Sequence, residues 1–93
     1  MSILSFRCIA TRRLFTGKQI RAFQGVHKVA MRKLAMLDAA LRLDDLRIPP
    51  ANRLERLRGD RAGQYSIRIN DQYRICFAWT DAGPTDVEIC DYH

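Results

Sequence analysis

Asp91, Tyr92 and His93 stand together directly after an apolar alternating run. Aspartate, tyrosine and histidine all accept or donate protons near neutrality when their surroundings favour it. Beside the chain's terminal carboxylate, the triplet is an acid/base candidate. On its own it also suits a plain strand end anchored by a half-buried tyrosine, so its weight comes from what precedes it. Arg58, Arg61 and Arg68 lie in the stretch that leads into Tyr73-Arg74-Ile75-Cys76-Phe77-Ala78-Trp79. Guanidinium groups match phosphate oxygens with two parallel hydrogen bonds. Cations just upstream of proton-transfer groups point to chemistry on a phosphate.

Composition sets the bounds on that chemistry. The chain has 93 residues and is 47% hydrophobic, enough for one domain over residues 1–93 with one core and too little for two. Sixteen Lys and Arg against 10 Asp and Glu give a formal net charge of +6, which makes a polyanion the natural partner. Many small basic domains bind nothing acidic, so arrangement rather than charge must decide. Cys8, Cys76 and Cys90 show no C-x-x-C spacing and no neighbouring histidine pair, so neither a disulfide framework nor a zinc site is indicated. Each sits in an apolar run and reads as a small buried hydrophobe in a reducing, cytoplasmic setting. No cofactor or metal is expected. Arg7, Arg12 and Arg13 interrupt the first sixteen residues, so no secretory leader is read there, and no stretch is apolar enough to span a membrane.

The elements that must position these groups can be read from periodicity. Residues 2–8 alternate as a strand. Leu14 and Phe15 fall in a short helical turn before Gly17. From Gln24 to Leu41, Val26, Ala30, Leu34, Leu37 and Leu41 recur at three- and four-residue steps, with His27, Lys28, Arg32, Lys33 and Asp38 in other directions. That is a helix with a basic solvated face, and His27 is expected to be an ordinary surface residue. Residues 42–52, with Pro49-Pro50, read as a loop. Leu54 to Leu57 suits a short strand or edge, and Gly59 and Gly63 bracket a turn. Three antiparallel strands close the chain: one with Tyr65, Ile67 and Ile69, a hairpin turn at residues 70–72, one with Tyr73, Ile75, Phe77 and Trp79, a turn over 81–85, and one with Val87, Ile89 and Asp91. An α+β fold follows, with an N-terminal strand and helices packed on one face of a twisted, mainly antiparallel sheet.

Period-two geometry then assigns the other face. If Ile67, Ile69, Ile75, Phe77, Trp79, Val87 and Ile89 face the helix, Arg68, Arg74 and Tyr92 point outward with Ser66, Cys76, Ala78 and Cys90. The expected result is a shallow groove floored by small side chains and walled by arginine and tyrosine. Parity does not place His93.

The pattern G-D-R-A-G-x-x-S-I-R-I-N-x-x-x-R-I-x-F-x-W over residues 59–79, followed by V-x-I-x-D-Y-H over 87–93, resembles HigB-type toxins of bacterial type II toxin–antitoxin systems, in the RelE superfamily. The likeness is densest from residue 52 onward and reaches more loosely over residues 32–38. It implies a RelE-like fold and a toxin neutralised by a helix-turn-helix, HigA-like antitoxin, through which alone it would meet operator DNA. It also implies entry to the ribosomal A site and cleavage of mRNA during translation.

Such cleavage without a metal uses the neighbouring 2′-hydroxyl as nucleophile, a base to take its proton, cations to stabilise the phosphorane and an acid to protonate the leaving 5′-oxygen. By resemblance, His93 and Tyr92 fall at the active end, Arg74 on the strand position that contacts the scissile phosphate, and Arg58 where a basic residue is usual. His93 is therefore the leading acid/base candidate, with Asp91 orienting it or joining the relay. Arg74 and Arg58 are the phosphate and transition-state contacts, and Arg61 and Arg68 further phosphate contacts. Tyr92 either transfers a proton or stacks on a base. Some relatives carry a histidine near Glu55, where this sequence has an acid, so the general base stays open and Glu55 is one candidate. Two rival readings remain, a gyrase inhibitor of the same superfamily and a non-catalytic RNA- or ribosome-binding module.

Overall fold

Leu14, Leu34, Leu37, Leu46, Ile67, Ile75, Phe77 and Val87 are sealed from solvent in one hydrophobic cluster between two helices and the inner face of a four-stranded sheet. The structure is a computed structural model and describes residues 2–91. Helix α1 spans Ile9–Phe15 and α2 spans His27–Ala39. The strands β1 (Glu55–Arg56), β2 (Gln64–Arg68), β3 (Tyr73–Thr80) and β4 (Gly83–Asp91) lie in sequence order and are antiparallel throughout.

The α+β reading holds, as does the division of the sheet faces among the described residues, and several local expectations are corrected. Residues 2–8 are extended but do not form a strand. They make one parallel bridge, Phe6 to Val87, through hydrogen bonds from Leu4 N to Pro84 O (2.8 Å), Val87 N to Ser5 O (3.1 Å) and Arg7 N to Val87 O (3.0 Å). Pro84 has no N–H to donate, and the chain leaves into α1 at Ile9, so the ladder cannot lengthen. The next edge donor, Ile89 N, is taken instead by buried Thr11 Oγ1 at 3.0 Å. A helix side chain thus finishes the edge that the segment leaves open.

The helix expected over residues 24–41 is shorter. Arg21–Val26 forms a 3-10 turn, and Ala40 is already extended, in keeping with Gly25 at the start and the absence of a capping side chain there. Residues 42–52 are not a plain loop but hold two more 3-10 turns, Leu43–Arg47 and Pro50–Asn52. The first is tied by Asp45, whose carboxylate accepts from Leu41 N and Arg42 N. Those backbone bonds hold its pKa below the usual value. Between β2 and β3, Asn70 Oδ1 accepts from Gln72 N (2.9 Å) and Tyr73 N (2.7 Å), an Asx turn that sets the hairpin register. The second turn is tighter than expected, since β3 ends at Thr80 and β4 begins at Gly83.

Lys33, expected among the solvated residues of α2, is buried on the helix face that carries Ala30, Leu34 and Leu37. Its ammonium donates to the Oδ1 of Asn52, itself fully buried. Asn52 Nδ2 in turn donates to Leu46 O (3.1 Å) and Ile48 O (3.4 Å), so one amide joins the helix to both 3-10 turns. Burial, with Arg32 and Arg68 adding repulsion, lowers the Lys33 pKa from 10.5. A lysine whose folded pKa is depressed destabilises the fold while charged. That cost is full below the depressed pKa and is relieved as pH rises toward the unfolded value. Asn52→Ala is expected to destabilise the protein by about 3 kcal/mol at pH 7 and by less at pH 10, measured by urea unfolding. An equal loss at both pH values would show that Lys33 is not charged against Asn52.

Candidate functional site

The outer face of the sheet is built from residues that alternate with the core set. Register places Glu55, Ser66, Cys76 and Glu88 in one row across the four strands, and Arg68, Arg74 and Cys90 in the next. Two rows on one face are separated by two residues along a strand, roughly 7 Å.

Arg74 is the best-anchored cation of this face. It is only 9% exposed, and its Nε donates to Ser66 Oγ at 2.7 Å while Nη2 donates to Arg53 O at 2.6 Å. Nη1 lies 3.8 Å from Glu55 Oε1. Arg53 has φ 45, the left-handed region that a side chain resists at a cost of about 1–2 kcal/mol, and this conformation accompanies the turn of its carbonyl onto Arg74. Across the ladder stands Arg68, a like charge directly opposite. The repulsion is relieved on one side by Glu55 and on the other by Asp71, which pairs with Arg68 Nη2.

The expected open groove is corrected in one respect. Ser66 and Cys76 are fully buried and Leu57 nearly so, because the segment between β1 and β2 folds over this face. Gly59 and Gly63 have φ 64 and 91, and no atom lies within 4 Å of where a Cβ would stand on either. Backbone conformation, not space, therefore demands glycine there. The 3-10 turn they bracket, Gly59–Arg61, carries Arg61 toward β4. Its Nη1 donates to Gln64 Oε1 at 3.1 Å and its Nη2 meets Glu88 Oε1 at 2.8 Å. The contact with Glu88 raises the Arg61 pKa above its usual value. Beside this turn Glu55, Arg56, Leu57, Arg58 and Arg61 line a cleft of about 610 Å³. Arg58 is exposed there, free to meet a ligand.

Asp91 departs from this grouping. It shares parity with Ile89 and accepts from Gln72 Nε2 at 3.1 Å, at the hairpin end of the sheet and not in the row of Arg74. Tyr92 and His93, the proton-transfer candidates, lie outside the described residues. Cys90 stands beside Arg74 in register. Its thiol pKa is pushed up, first by a hydrogen bond with Cys76 and then by burial, so it remains a neutral thiol rather than a nucleophile. His27, read as an ordinary surface residue, is half-buried, and its Nδ1 finds no hydrogen-bond partner among the described residues. Among those residues no group of three or more His, Cys, Asp or Glu could hold a metal, and no helix is long and apolar enough to cross a membrane. Sequence reasoning overlooked Ser66 as more than a small residue, along with Arg53, Gln64 and Glu88. Only the backbone path, which no periodicity encodes, brings these onto Arg74 and Arg61.

The family of HigB toxins, described as RelE-like toxins of type II toxin–antitoxin systems, matches residues 5–93. The chain belongs to this family. Toxin HigB-1 of Vibrio cholerae serotype O1 is 52% identical to the HigB-like chain over 56 residues, which are 60% of this chain and 59% of that toxin. An uncharacterized protein of Haemophilus influenzae is 46% identical over 54 residues, 58% of this chain and 54% of that protein. The HigB-like chain therefore spans less than two thirds of the length of either relative. Among solved structures, the YoeB–YefM complex from Staphylococcus aureus matches with a TM-score of 0.58 at 21% identity, covering 100% of this chain and 99% of the other. The YoeB/ParE toxin from Agrobacterium tumefaciens gives 0.56 at 20%, again over 100% and 99%. At such identities the likeness speaks for the fold, which is RelE-like.

The anchoring of Arg74 in this HigB-like chain can be measured directly. Ser66→Ala leaves a buried guanidinium N–H without its acceptor and is expected to cost about 1–2 kcal/mol. An unchanged urea midpoint would mean that Ser66 does not hold Arg74.

Proposed function

We propose that the protein is a ribosome-dependent mRNA endoribonuclease, a single-domain cytoplasmic toxin over residues 1–93 that stops translation by cutting the message in the ribosomal A site. The observation that carries this reading is the immobilised Arg74 guanidinium beside a cleft lined by Arg56, Arg58 and Arg61. A cation already desolvated and fixed by Ser66, Arg53 and Glu55 gives up little further freedom when a phosphorane forms against it, which is electrostatic preorganisation. Arg74 is also in register with Cys90, two residues ahead of Tyr92 in the sequence.

In this mechanism a base removes the 2′-hydroxyl proton, the oxygen attacks the adjacent phosphorus, and Arg74 and Arg58 neutralise the charge that develops on the non-bridging oxygens. Protonation of the leaving 5′-oxygen completes the step. His93 is the leading acid/base group. Tyr92 stacks on a base or shares the proton transfer, Asp91 orients or relays, and Glu55, 3.8 Å from Arg74 Nη1, is the second candidate base. Arg61 and Arg68 serve the phosphates of the flanking RNA. So small a chain supplies the chemical groups, while the ribosome positions the substrate.

The partner proposed for the free toxin is a helix-turn-helix, HigA-like antitoxin, through which it would reach operator DNA. The pairing of YoeB with YefM in the structural neighbour supports a dedicated antitoxin. Primer extension on a defined mRNA, with and without translating ribosomes, tests the reading. New 5′ ends are expected only with ribosomes. His93→Ala is expected to slow their formation by roughly 10²–10⁴-fold, and Arg74→Lys to slow it as well by losing the planar fork. Intact RNA in every lane, from folded and toxic protein, would move the reading to gyrase inhibition or to ribosome blockade without cleavage.

A further inference from the structure

Glu88 is a half-buried carboxylate in the middle of a cationic face. It stands in the outer row with Glu55, Ser66 and Cys76, and its side chain is 16% exposed. Its Oε1 meets Arg61 Nη2 at 2.8 Å from one side and lies 3.9 Å from Arg7 Nε on the other. These two arginines come from different segments of the chain. Arg61 reaches across from the turn after β1. Arg7 belongs to the N-terminal segment on the far edge of β4, fixed there by its N–H bond to Val87 O at 3.0 Å. Phe6, one residue earlier, packs against the core, and the alternation of an extended chain turns Arg7 to the outer side.

A negative charge opposes the binding of a phosphate, so on this face it needs a reason to be there. Glu88 supplies one by geometry. The shared oxygen holds two long, flexible side chains that would otherwise sample many rotamers, and both keep donors unused. Arg7 is 60% exposed, and of the five N–H groups of a guanidinium Arg61 directs one to Gln64 and one to Glu88. The group therefore carries a net charge of +1 with guanidinium N–H groups to spare. It sits one row from Arg74, roughly 7 Å along the strands, which suits a phosphate next to the one that Arg74 contacts.

We propose that Arg7, Arg61 and Glu88 form a second phosphate subsite for the RNA flanking the scissile bond, in which Arg7 and Arg61 bind and Glu88 is the positioning residue. The inference rests on the nuclease reading above. Its distinctive consequence is a sign. If Glu88 merely adds negative charge, Glu88→Gln tightens RNA binding. If it positions the two arginines, the same change weakens binding although it makes the protein more basic.

The test measures affinity for ribosomes programmed with an mRNA whose A-site riboses are 2′-O-methylated, so that binding is read apart from cleavage. Wild type, Glu88→Gln and the surface variant Arg7→Ala are titrated across a salt series, with thermal melts to confirm folding. Glu88→Gln is expected to bind several-fold more weakly than wild type. Arg7→Ala is expected to weaken binding and to reduce the slope of log affinity against log salt by about 0.7, the loss of one single-strand phosphate contact. Tighter or unchanged binding by Glu88→Gln, or an unchanged slope for Arg7→Ala, would overturn the subsite and leave the nuclease reading standing. Failure of wild type to bind programmed ribosomes would overturn both.

Discussion

A guanidinium taken out of water must have its lost hydration replaced, and the sequestered Arg74 is the constraint around which the outer half of this protein is organised. Its Nε donates to a serine on the neighbouring strand, its Nη2 donates to the backbone carbonyl of Arg53 two residues before β1, and a carboxylate on β1 itself stands within ion-pair distance. Each of these would be unremarked on its own. Together they explain why so short a strand as Glu55–Arg56 is retained at the sheet edge, and why Arg53 adopts a left-handed conformation. Removing either hydrogen-bond acceptor takes from a buried donor a bond whose loss costs more than the bond itself is worth.

The same logic runs through the rest of the fold at lower intensity. On the inner side, Lys33 and Asn52 repeat the pattern, with a buried cation satisfied by an amide that also fastens two 3-10 turns. At the β4 edge, Thr11 takes a strand donor, Ile89 N, that the N-terminal segment leaves open. Apolar packing supplies most of the driving force, but these polar fastenings determine where the loops lie. Loop position in turn decides which cations crowd the outer face. Gly59 and Gly63 are part of that control, because they permit the turn that brings Arg61 to Glu88 on β4.

Period-two alternation made the sheet legible in the sequence. Ile67, Ile75, Phe77, Val87 and Ile89 face the helices as expected, and Arg68 and Arg74 share the opposite face with Ser66, Cys76 and Cys90. Helical spacing located α2, and the motif over residues 59–79 identified the family. What remained hidden had a common cause, since it depends on the path of irregular chain. Alternation cannot show that the segment of Leu57 to Arg61 folds back over the groove. Nor does it show that residues 2–8 stop at a single bridge because Pro84 lacks a donor. Periodicity does not place Lys33, because a long amphipathic side chain at a flanking helical position can turn either way, and its bond to Asn52 decides the direction. Asp91 follows its parity to the hairpin end, although adjacency in sequence to Tyr92 and His93 suggested a place among the arginines.

The central claim is that this face stabilises a phosphorane formed by attack of the neighbouring 2′-hydroxyl, and the ends left on the RNA report on it most directly. Translating ribosomes would be given an mRNA with ribose at every position and a second mRNA with a single 2′-deoxy sugar on the 5′ side of the scissile bond. The account predicts a cyclic 2′,3′-phosphate on the upstream fragment of the first and no cleavage of the second. Cleavage of the deoxy message at an undiminished rate, or a 3′-hydroxyl on the upstream fragment, would contradict it.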